Sequence, residues 1–263
     1  MRAPTALTIA GSDPSGGAGV QADLRTMAAF GVFGTTAITS VTVQNTLRVA
    51  SAQHLPAPLV AAQIDAVMED VGADAAKTGM LPTAGVIAAV AERVRAHGIA
   101  RLVVDPVMVA TSGGRLMESE ALSSLVRDLL PLAAVVTPNL AETAALSGVA
   151  GAGDADLEAA ARAIHAMGPR SVLIKGGHAA GDCTDVLFDG SRFERFAAPR
   201  LGRGPVHGAG CALSAAIAAG LALGWDLVPA VERAKAFVTK AIASALDLGG
   251  GSAIVNTLVR PGE

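Results

Sequence analysis

The stretch that decides the fold is LTIAGSDPSGGAGVQADL, residues 7–24. Its first four residues predict a strand, a loop rich in glycine and serine follows, and residues 18–30 form a helical run of small residues. A strand that leads through a glycine loop into a helix is the unit of parallel α/β sheets, and such a loop can direct backbone N–H groups at an anionic or polar ligand. The stretch therefore predicts an α/β fold with a ligand site at the end of its first strand.

A second glycine segment, HGAGC at residues 207–211, lies near the other end of the chain and also precedes a helical run of small residues. A helix N-terminus with the backbone N–H groups of Gly208, Ala209 and Gly210 suits the charge of a phosphoryl group. Cys211 places a thiol at the same point. This thiol either takes part in chemistry or packs between a strand and a helix, as most free cysteines do.

Length and composition restrict the class of protein. The 263 residues can bury a sizeable core, and we expect residues 1–263 to form a single domain. The net charge of −3 and the lack of a Lys/Arg run argue against a nucleic-acid partner. Two cysteines are too few for a disulfide framework, and the start of the sequence lacks signal-peptide features, so we expect a cytoplasmic protein.

One uncharged segment, residues 207–225, is about as long as a membrane span. Its Ala and Gly content, its polar residues and its opening glycine turn are instead typical of a helix packed closely against a sheet. We therefore expect a buried core helix there and no membrane partner.

Short β-rich segments alternate along the chain with longer Ala-rich segments of helical period. This alternation predicts a mostly parallel sheet with helices on both faces. The predicted strands are residues 7–10, 36–43, 101–104, 134–137 and 171–174, with a hairpin at residues 185–197. The predicted helices are residues 18–30, 58–71, 83–97, 120–130, 140–147, 154–167, 209–223 and 227–248.

Polar or glycine-bearing residues follow six of the strands, including a short one that ends at residues 77–80. In open α/β sheets, ligands bind beyond the carboxyl ends of the strands. The segments therefore predict one site along this edge of the sheet. They are residues 11–13, 44–45, 77–80, 105–108, 137–142 and 175–178.

These segments, in this order, closely resemble the hydroxymethylpyrimidine/phosphohydroxymethylpyrimidine kinase family, a thiamin-biosynthesis branch of the ribokinase-like superfamily. The resemblance covers about residues 7–246, nearly the whole chain. Its most specific motifs are residues 8–24, 43–46, 105–110, 137–140, 175–178 and 207–211. Six ordered motifs are strong evidence, whereas one glycine motif is weak.

The resemblance implies a ribokinase-like three-layer αβα sandwich with a mostly parallel central sheet. It also implies transfer of the ATP γ-phosphoryl group to 4-amino-5-hydroxymethyl-2-methylpyrimidine and then to the resulting monophosphate. ATP and Mg²⁺ are the implied cofactors, and a homodimer is the implied assembly.

The resemblance implies a catalytic role for Cys211, Gly208 and Gly210. Cys211 is expected to accept the proton of the substrate hydroxymethyl group. The N-terminus of a helix favours the thiolate form of a cysteine, so we expect a reactive thiol there. The backbone N–H groups of Gly208 and Gly210 are expected to hold the transferred phosphoryl group.

Gln44 carries a donor and an acceptor on one amide and can pair with a ring nitrogen and an exocyclic amine. The family places its pyrimidine contact at this position, although a glutamine at a strand end is otherwise usually solvated or caps backbone. Other family positions that line the pyrimidine have the ordinary interpretation of turn and core packing. They are Gly11, Ala18, Met80 and Val107.

Asp105 and Glu142 are the acidic candidates for Mg²⁺ and the triphosphate, because hard cations prefer oxygen ligands. Asp105 could instead cap the turn that follows it, and Glu142 could be a first-turn helix carboxylate. Lys175 could neutralise nucleotide phosphates or be a surface lysine. The remaining expected nucleotide contacts are Asn139, Ala209 and Lys235.

The chain departs from the family pattern at four positions. It has Thr111 where the family commonly has lysine, and Val206, Ala209 and Ala212 where threonines are common. These changes put the second phosphorylation in question, because its substrate is itself anionic. The alternatives are a pyridoxal or pyridoxine kinase and a catalytically weak ligand-binding paralogue.

Overall fold

The computed structural model describes residues 2–108, 117–176, 183–202 and 204–262. Within these ranges, nine strands form one sheet. The strands are β1 (Thr5–Ser12), β2 (Phe33–Gln44), β3 (Val49–His54), β4 (Ala75–Thr78), β5 (Leu102–Val104), β6 (Val135–Val136), β7 (Val172–Ile174), β8 (Asp185–Phe188) and β9 (Phe193–Phe196).

The strand order is β3-β2-β1-β4-β5-β6-β7-β8-β9. Strands β2, β1, β4, β5, β6 and β7 are parallel neighbours, whereas β3, β8 and β9 pair antiparallel. The six parallel strands are those whose polar exits the sequence predicts to share one edge. The mostly parallel sheet and the hairpin at residues 185–197 are confirmed.

Eight α-helices in the described ranges cover the two faces of the sheet. Helices α1, α7 and α8 pack on one face around one apolar cluster, and α2 to α6 pack on the other face around a second cluster. This arrangement is the predicted three-layer αβα sandwich. The helices are α1 (Gly19–Ala29), α2 (Ala57–Asp70), α3 (Ala84–Ala96), α4 (Ser119–Ser124), α5 (Leu140–Ser147), α6 (Asp154–His165), α7 (Ala209–Ala222) and α8 (Leu227–Ala243).

Helix α7 is the core helix that the sequence predicts in place of a membrane span. Every residue from Ala212 to Ala222 is buried, and the helix contacts β1, β4 and β5 as well as α1 and α8. Its small side chains allow this close packing. In the described part of the chain, every helix is too short or too polar to traverse a bilayer.

Two predicted helices differ from the structure, and one strand is absent from the predicted elements. The helix predicted at residues 120–130 is a short α4 followed by a π-helical turn at Leu125–Leu129 and a 3₁₀ turn at Leu130–Leu132. The last helix ends at Ala243 rather than residue 248, because the backbone of Leu246 pairs with Ile254 instead. Strand β3 has no counterpart among the predicted strands, and its short VASAQH segment is exposed or half-buried throughout.

A buried ion pair joins α1 to the sheet. Lys77 Nζ in β4 lies 3.0 and 2.8 Å from the two carboxylate oxygens of Asp23 in α1, and both side chains are 0% exposed. The hydroxyl of Thr8 in β1 donates to the same carboxylate at 2.6 Å. Burial opposes the charge on Lys77, but the surrounding acidic groups, Asp23 foremost, together outweigh burial and raise the pKa of Lys77. The pair therefore ties α1 to two neighbouring strands.

We expect Lys77→Met to lower the free energy of unfolding by about 3–5 kcal/mol at pH 7, because it leaves a buried carboxylate without its counterion. Burial raises the pKa of Asp23 even in the intact pair. Without Lys77, the Asp23 carboxyl therefore stays protonated in the folded state at pH values at which it is ionised in the unfolded state. The loss of unfolding free energy in the variant should consequently grow as pH rises from about 4 to 7. Urea unfolding at several pH values measures this.

The control is Arg127→Met, which breaks an ion pair with Asp128 in which the Arg127 side chain is 68% exposed. It should change stability by less than about 1 kcal/mol. The double variant Asp23→Leu/Lys77→Met should recover part of the stability that Lys77→Met loses. A pH-independent loss would contradict the burial of an ionisable Asp23.

Candidate functional site

The two glycine segments lie against each other at the carboxyl edge of the sheet. A Cβ on Gly17 would overlap the His207 ring, and a Cβ on Gly208 would overlap the Gly17 carbonyl. Gly208 also has φ +84°, in the region that favours glycine, and it is the N-cap of α7. Glycine at these positions therefore allows the loop after β1 to meet the start of α7.

Cys211 lies in the first turn of α7, and the backbone N–H of Gly19 faces its thiol. Burial raises the pKa of Cys211 to about 11; Lys77 opposes this shift, and the carboxylates of Asp23 and Asp105 add to it. Burial and the nearby carboxylates therefore disfavour the thiolate in the ligand-free protein, whereas Lys77 favours it.

Lys175 joins the two acidic candidates into one cluster. Its Nζ lies 2.8 Å from Asp105 Oδ1 and 3.9 Å from Glu142 Oε2. A Cβ on Gly210 would lie 3.4 Å from Lys175 Nζ and 3.9 Å from Asp105 Oδ2. The structure therefore brings Lys175, Asp105 and Glu142 beside the first turn of α7, which carries Cys211.

Asp105 follows β5 and is 2% exposed. Its carboxylate accepts hydrogen bonds from Lys175, from the Thr137 hydroxyl at 3.3 Å and from the Ser214 hydroxyl at 3.1 Å. Burial opposes its charge, but Lys175 and Lys77 outweigh that effect and hold the pKa of Asp105 below its ordinary value. Its side chain faces the cluster rather than capping the next turn.

Glu142 and Asn139 form a capping box at the start of α5. Glu142 Oε2 accepts the Asn139 backbone N–H at 2.8 Å, and Asn139 Oδ1 accepts the Glu142 N–H at 2.9 Å. Burial raises the pKa of Glu142 to about 7; Asp105 adds to the shift and Lys175 opposes it. The first-turn interpretation of Glu142 is confirmed, and it is compatible with a place at the acidic cluster.

Gln44, the expected pyrimidine contact, is half-buried at the end of β2. Its amide lies 3.2 Å from the Thr42 hydroxyl and 3.3 Å from His207 Nε2. His207 Nε2 also lies 2.8 Å from Asp13 Oδ2. Thus β2 and both glycine segments meet at this amide.

The other expected pyrimidine contacts lie at neighbouring strand exits. Gly11 is buried against Met80, since a Cβ on Gly11 would lie 3.1 Å from Met80 Sδ. Ala18 is half-buried, and its backbone N–H donates to Asp13 at 2.9 Å. Val107 is half-buried two residues after Asp105. The contacts of these residues with a ligand remain predictions.

Lys235 is engaged outside this cluster. Its Nζ pairs with Asp185 at 2.9 Å, and Asp185 also accepts the Gly176 backbone N–H at 2.9 Å. Lys235 therefore supports the strand β8 and the segment after β7, and its contact with a nucleotide stays a prediction.

The departures from the family pattern have different surroundings. Ala212 is fully buried, and Val206 and Ala209 pack against the apolar cluster between the sheet, α7 and α8. Methyl groups thus occupy these positions without loss of packing. Thr111 lies outside the described residues, as do residues 109 and 110 of the third motif and residues 177 and 178 of the fifth.

No role was predicted from the sequence for Lys77, Asp13 or His207, although each lies in one of the predicted site segments. A signal for Lys77 was available, because a lysine inside a parallel strand covered on both faces needs a buried partner. Asp13 and His207 are 194 positions apart, so local spacing carries no sign of their contact.

The donor set beside Lys175 fits a hard cation delivered with a nucleotide. In the described ranges, no group of three or more His, Cys, Asp or Glu side chains is placed to hold a metal ion. Mg²⁺ is commonly held by one or two carboxylates together with substrate phosphates and water, and Asp105 and Glu142 supply two carboxylates. The residues therefore fit a shared site better than a resident one.

The chain matches known proteins over most of its length. The family model for phosphomethylpyrimidine kinase matches residues 13–256. The chain is 50% identical over 250 residues to the hydroxymethylpyrimidine/phosphomethylpyrimidine kinase of Rhizobium meliloti (strain 1021), covering 94% of each protein. It is 45% identical over 254 residues to the thiamine biosynthesis bifunctional protein ThiED of Geobacter sulfurreducens, covering 96% of this chain and 52% of that protein.

Solved structures share the fold. The ADP complex of Bacillus subtilis pyridoxal kinase superposes with a TM-score of 0.90 at 37% identity, covering 97% of each chain. The phosphomethylpyrimidine kinase of Clostridium difficile 630 superposes with a TM-score of 0.81 at 39% identity, covering 90% of this chain and 99% of that one.

We expect slow alkylation of Cys211 in the ligand-free protein. A thiol whose pKa is raised to about 11 carries about 100-fold less thiolate at pH 7.5 than an ordinary cysteine. Iodoacetamide should therefore label Cys211 about 100-fold more slowly than free cysteine, and the rate should rise tenfold per pH unit up to about pH 10. Intact-mass kinetics on a Cys183→Ser background isolates Cys211. Fast labelling that is independent of pH would indicate a stable thiolate instead.

Proposed function

The chain belongs to the phosphomethylpyrimidine kinase family, and from its site we infer that it uses ATP to phosphorylate the hydroxymethyl group of 4-amino-5-hydroxymethyl-2-methylpyrimidine and then the monophosphate formed. Both reactions belong to thiamine biosynthesis. The protein is a ribokinase-like transferase. We also propose that residues 1–263 form a single domain, which carries the kinase activity.

The observation that carries the proposal is the position of Cys211 in the first turn of α7, beside Lys175, Asp105 and Glu142. A phosphoryl transfer needs an acceptor alcohol, a group that takes its proton and positive or N–H groups around the moving phosphoryl. The start of α7 supplies the thiol and the N–H groups, and Lys175 supplies the positive charge. Gln44 lies at the exit of β2, next to His207 at the start of α7, where it can hold the ring.

The proposed transfer forms one bond to phosphorus, breaks another and moves one proton. The substrate hydroxymethyl oxygen attacks the γ-phosphorus, its proton passes to Cys211 Sγ, and the bond from phosphorus to the ADP oxygen breaks. The backbone N–H groups of Gly208, Gly210 and Cys211 donate hydrogen bonds to the equatorial oxygens of the transferred phosphoryl group. The pKa of Cys211 is raised to about 11, so its thiolate is a strong base but only a small fraction of the thiol is ionised at neutral pH. Lys77 favours the thiolate and thereby increases that fraction.

Lys175 holds the ATP phosphates in this proposal, with Asn139, Ala209 and Lys235 on the nucleotide side. Asp105 and Glu142 would hold Mg²⁺ together with the phosphates. The ion would neutralise negative charge on the phosphate oxygens. Before ATP binds, Lys175 contacts both carboxylates and serves as their shared counterion.

We further propose a cytoplasmic homodimer. Apolar side chains on β2 and in the turn after it support the dimer, since Val43 is 60% and Leu47 62% exposed. Exposed apolar patches of this kind are common at protein interfaces. A cytoplasmic location supplies ATP, and it agrees with two cysteines that form no disulfide.

The pyrimidine is favoured over pyridoxal as the substrate. The Rhizobium pyrimidine kinase is 50% identical to the chain, whereas the Bacillus pyridoxal kinase is 37% identical. The retained cluster of Lys175, Asp105 and Glu142 also argues against a paralogue that binds ligand without catalysis.

The test is mass analysis of products after incubation with Mg²⁺-ATP and the hydroxymethylpyrimidine, with pyridoxal in parallel. We expect two added phosphates on the pyrimidine and at least tenfold lower kcat/KM on pyridoxal. A single added phosphate would show that the second phosphorylation is lost. No added phosphate would overturn the kinase proposal.

We expect Cys211→Ala to lower kcat by roughly 10²–10⁴-fold while both ligands still bind, because the variant keeps the backbone N–H and loses the base. Steady-state kinetics with calorimetric binding of each ligand measures this. Cys183→Ala is the matched control and should keep kcat within twofold. Near-normal kcat in folded Cys211→Ala would leave the thiol a packing role.

Sedimentation of these same samples checks their folding and assembly. A mass of one chain for the wild-type protein would contradict the homodimer.

A further inference from the structure

Asp13, His207 and Gln44 form a line of polar contacts that the phosphoryl-transfer step does not use. His207 Nε2 lies 2.8 Å from Asp13 Oδ2 and 3.3 Å from the Gln44 amide. His207 is 7% exposed and Asp13 3% exposed. Two buried ionisable groups thus stand directly behind the side chain that is proposed to hold the pyrimidine.

Asp13 fixes a proton on His207. Asp13 Oδ1 accepts the backbone N–H and the hydroxyl of Ser15 at 2.9 and 2.7 Å, and Oδ2 accepts the Ala18 N–H at 2.9 Å. Burial opposes the charge of Asp13, but hydrogen bonds from His207 and Ser15 outweigh it and hold its pKa below the ordinary value. An ionised carboxylate only accepts hydrogen bonds, so His207 Nε2 must carry a hydrogen and donate it.

Thr42 constrains the other end of the amide. Its hydroxyl lies 3.0 Å from the backbone carbonyl oxygen of Ser12, which only accepts, and 3.2 Å from the Gln44 amide. The single hydroxyl hydrogen serves the carbonyl, so toward Gln44 the Thr42 oxygen can accept. Thr42 therefore needs the NH₂ end of the amide. The single hydrogen on His207 Nε2 is donated to Asp13 and leaves that nitrogen no lone pair, so only the oxygen end of the amide can bond to it, by sharing this hydrogen.

Both needs are met when the Gln44 amide is turned by a half rotation about its last bond. Nitrogen and oxygen of an amide are nearly equal in size, so the hydrogen-bond partners decide between the two orientations. In the orientation with nitrogen toward His207, the NH₂ group lies 3.3 Å from an Nε2 that carries a hydrogen and has no lone pair to accept another. The turned amide removes that conflict and leaves one N–H and one oxygen lone pair for a ligand.

We propose that Asp13 and His207 are positioning residues that determine substrate specificity by fixing the Gln44 amide with its oxygen toward His207 and its NH₂ group toward Thr42. This inference rests on the proposed function, in which Gln44 pairs with the aminopyrimidine edge. The fixed amide donates to a ring nitrogen on the Thr42 side and accepts from an amine on the His207 side. It therefore selects a ring nitrogen beside an amine.

The same orientation places the reacting group. In the substrate, the ring nitrogen, the amino group and the hydroxymethyl group follow one another around the ring. With the amine on the His207 side, the hydroxymethyl group extends toward His207 and Gly208, where α7 begins. The oriented Gln44 amide thus also directs the hydroxymethyl group toward Cys211.

The test compares the amino substrate with its 4-oxo analogue, in which a carbonyl replaces the amine and the ring nitrogen carries hydrogen. To pair with this analogue, the Gln44 amide must present its oxygen to the ring N–H and its NH₂ group to the carbonyl, which is the reverse orientation. His207→Phe removes the donor, so Gln44 can turn, and we expect the amino-to-oxo ratio of kcat/KM to fall at least tenfold through the KM values. His207→Gln keeps an NH₂ donor near the position of Nε2, and we expect the ratio to stay within threefold of wild type.

A packing role for His207 predicts the opposite order, because phenylalanine keeps the ring shape and glutamine does not. An unchanged ratio in His207→Phe, or a larger fall in His207→Gln, would overturn the proposal. The matched control is His97→Phe at the C-terminus of α3, where His97 Nε2 lies 2.6 Å from Asp65 Oδ1. That variant should keep the ratio of the wild type.

A measurement on ligand-free protein separates this proposal from the kinase proposal. Spectra of ¹⁵N-histidine protein should show His207 with hydrogen on Nε2 from pH 7 to 8.5, assigned by the signal lost in His207→Phe. A ring with hydrogen on Nδ1 alone would overturn the proposal even if the protein is an active kinase. If the Nε2 hydrogen is present but no substrate is phosphorylated, the proposed function fails instead.

Discussion

The ion pair between Lys77 and Asp23 is the interaction on which the rest of the site depends. It joins α1 to β4, and the Thr8 hydroxyl adds β1 to the same contact. Because α1 begins at Gly19, this contact holds the glycine loop after β1 in place. Lys77 also favours charge on the Cys211 thiol. One buried lysine therefore supports the frame of the site and its electrostatics.

The site has two parts with opposite electrostatic character. On one side, Lys175 offsets the carboxylates of Asp105 and Glu142, and burial raises the pKa of Glu142 to about 7. On the other side, Gln44, Thr42 and His207 form a polar network without a free charge facing the amide. The start of α7 joins the two parts, because His207 precedes its N-cap and a Cβ on Gly210 would lie 3.4 Å from Lys175 Nζ. Such a division suits a reaction between a polyanion and a neutral ring alcohol.

Much of the fold follows from local sequence patterns. The β-rich segments, the Ala-rich helical segments and the glycine turns predict six parallel strands, the β8–β9 hairpin and the buried α7. The elements that differ are those in which tertiary contacts override local preference. Strand β3 pairs with β2 although none of its side chains is fully buried, and α8 ends at Ala243 because residue 246 pairs with residue 254.

The sequence by itself determined the αβα fold, the edge of the sheet that carries the site and the family. It also placed Asp105, Glu142, Lys175 and Cys211 at strand exits and helix starts, since these positions depend on short-range order. Only the tertiary structure decided the charge states and partners of these groups. The raised pKa of Cys211 and the contact of Asp13 with His207 arise from burial and from residues distant in the chain. Burial and long-range contacts set such properties, and neither has a local signature in the sequence.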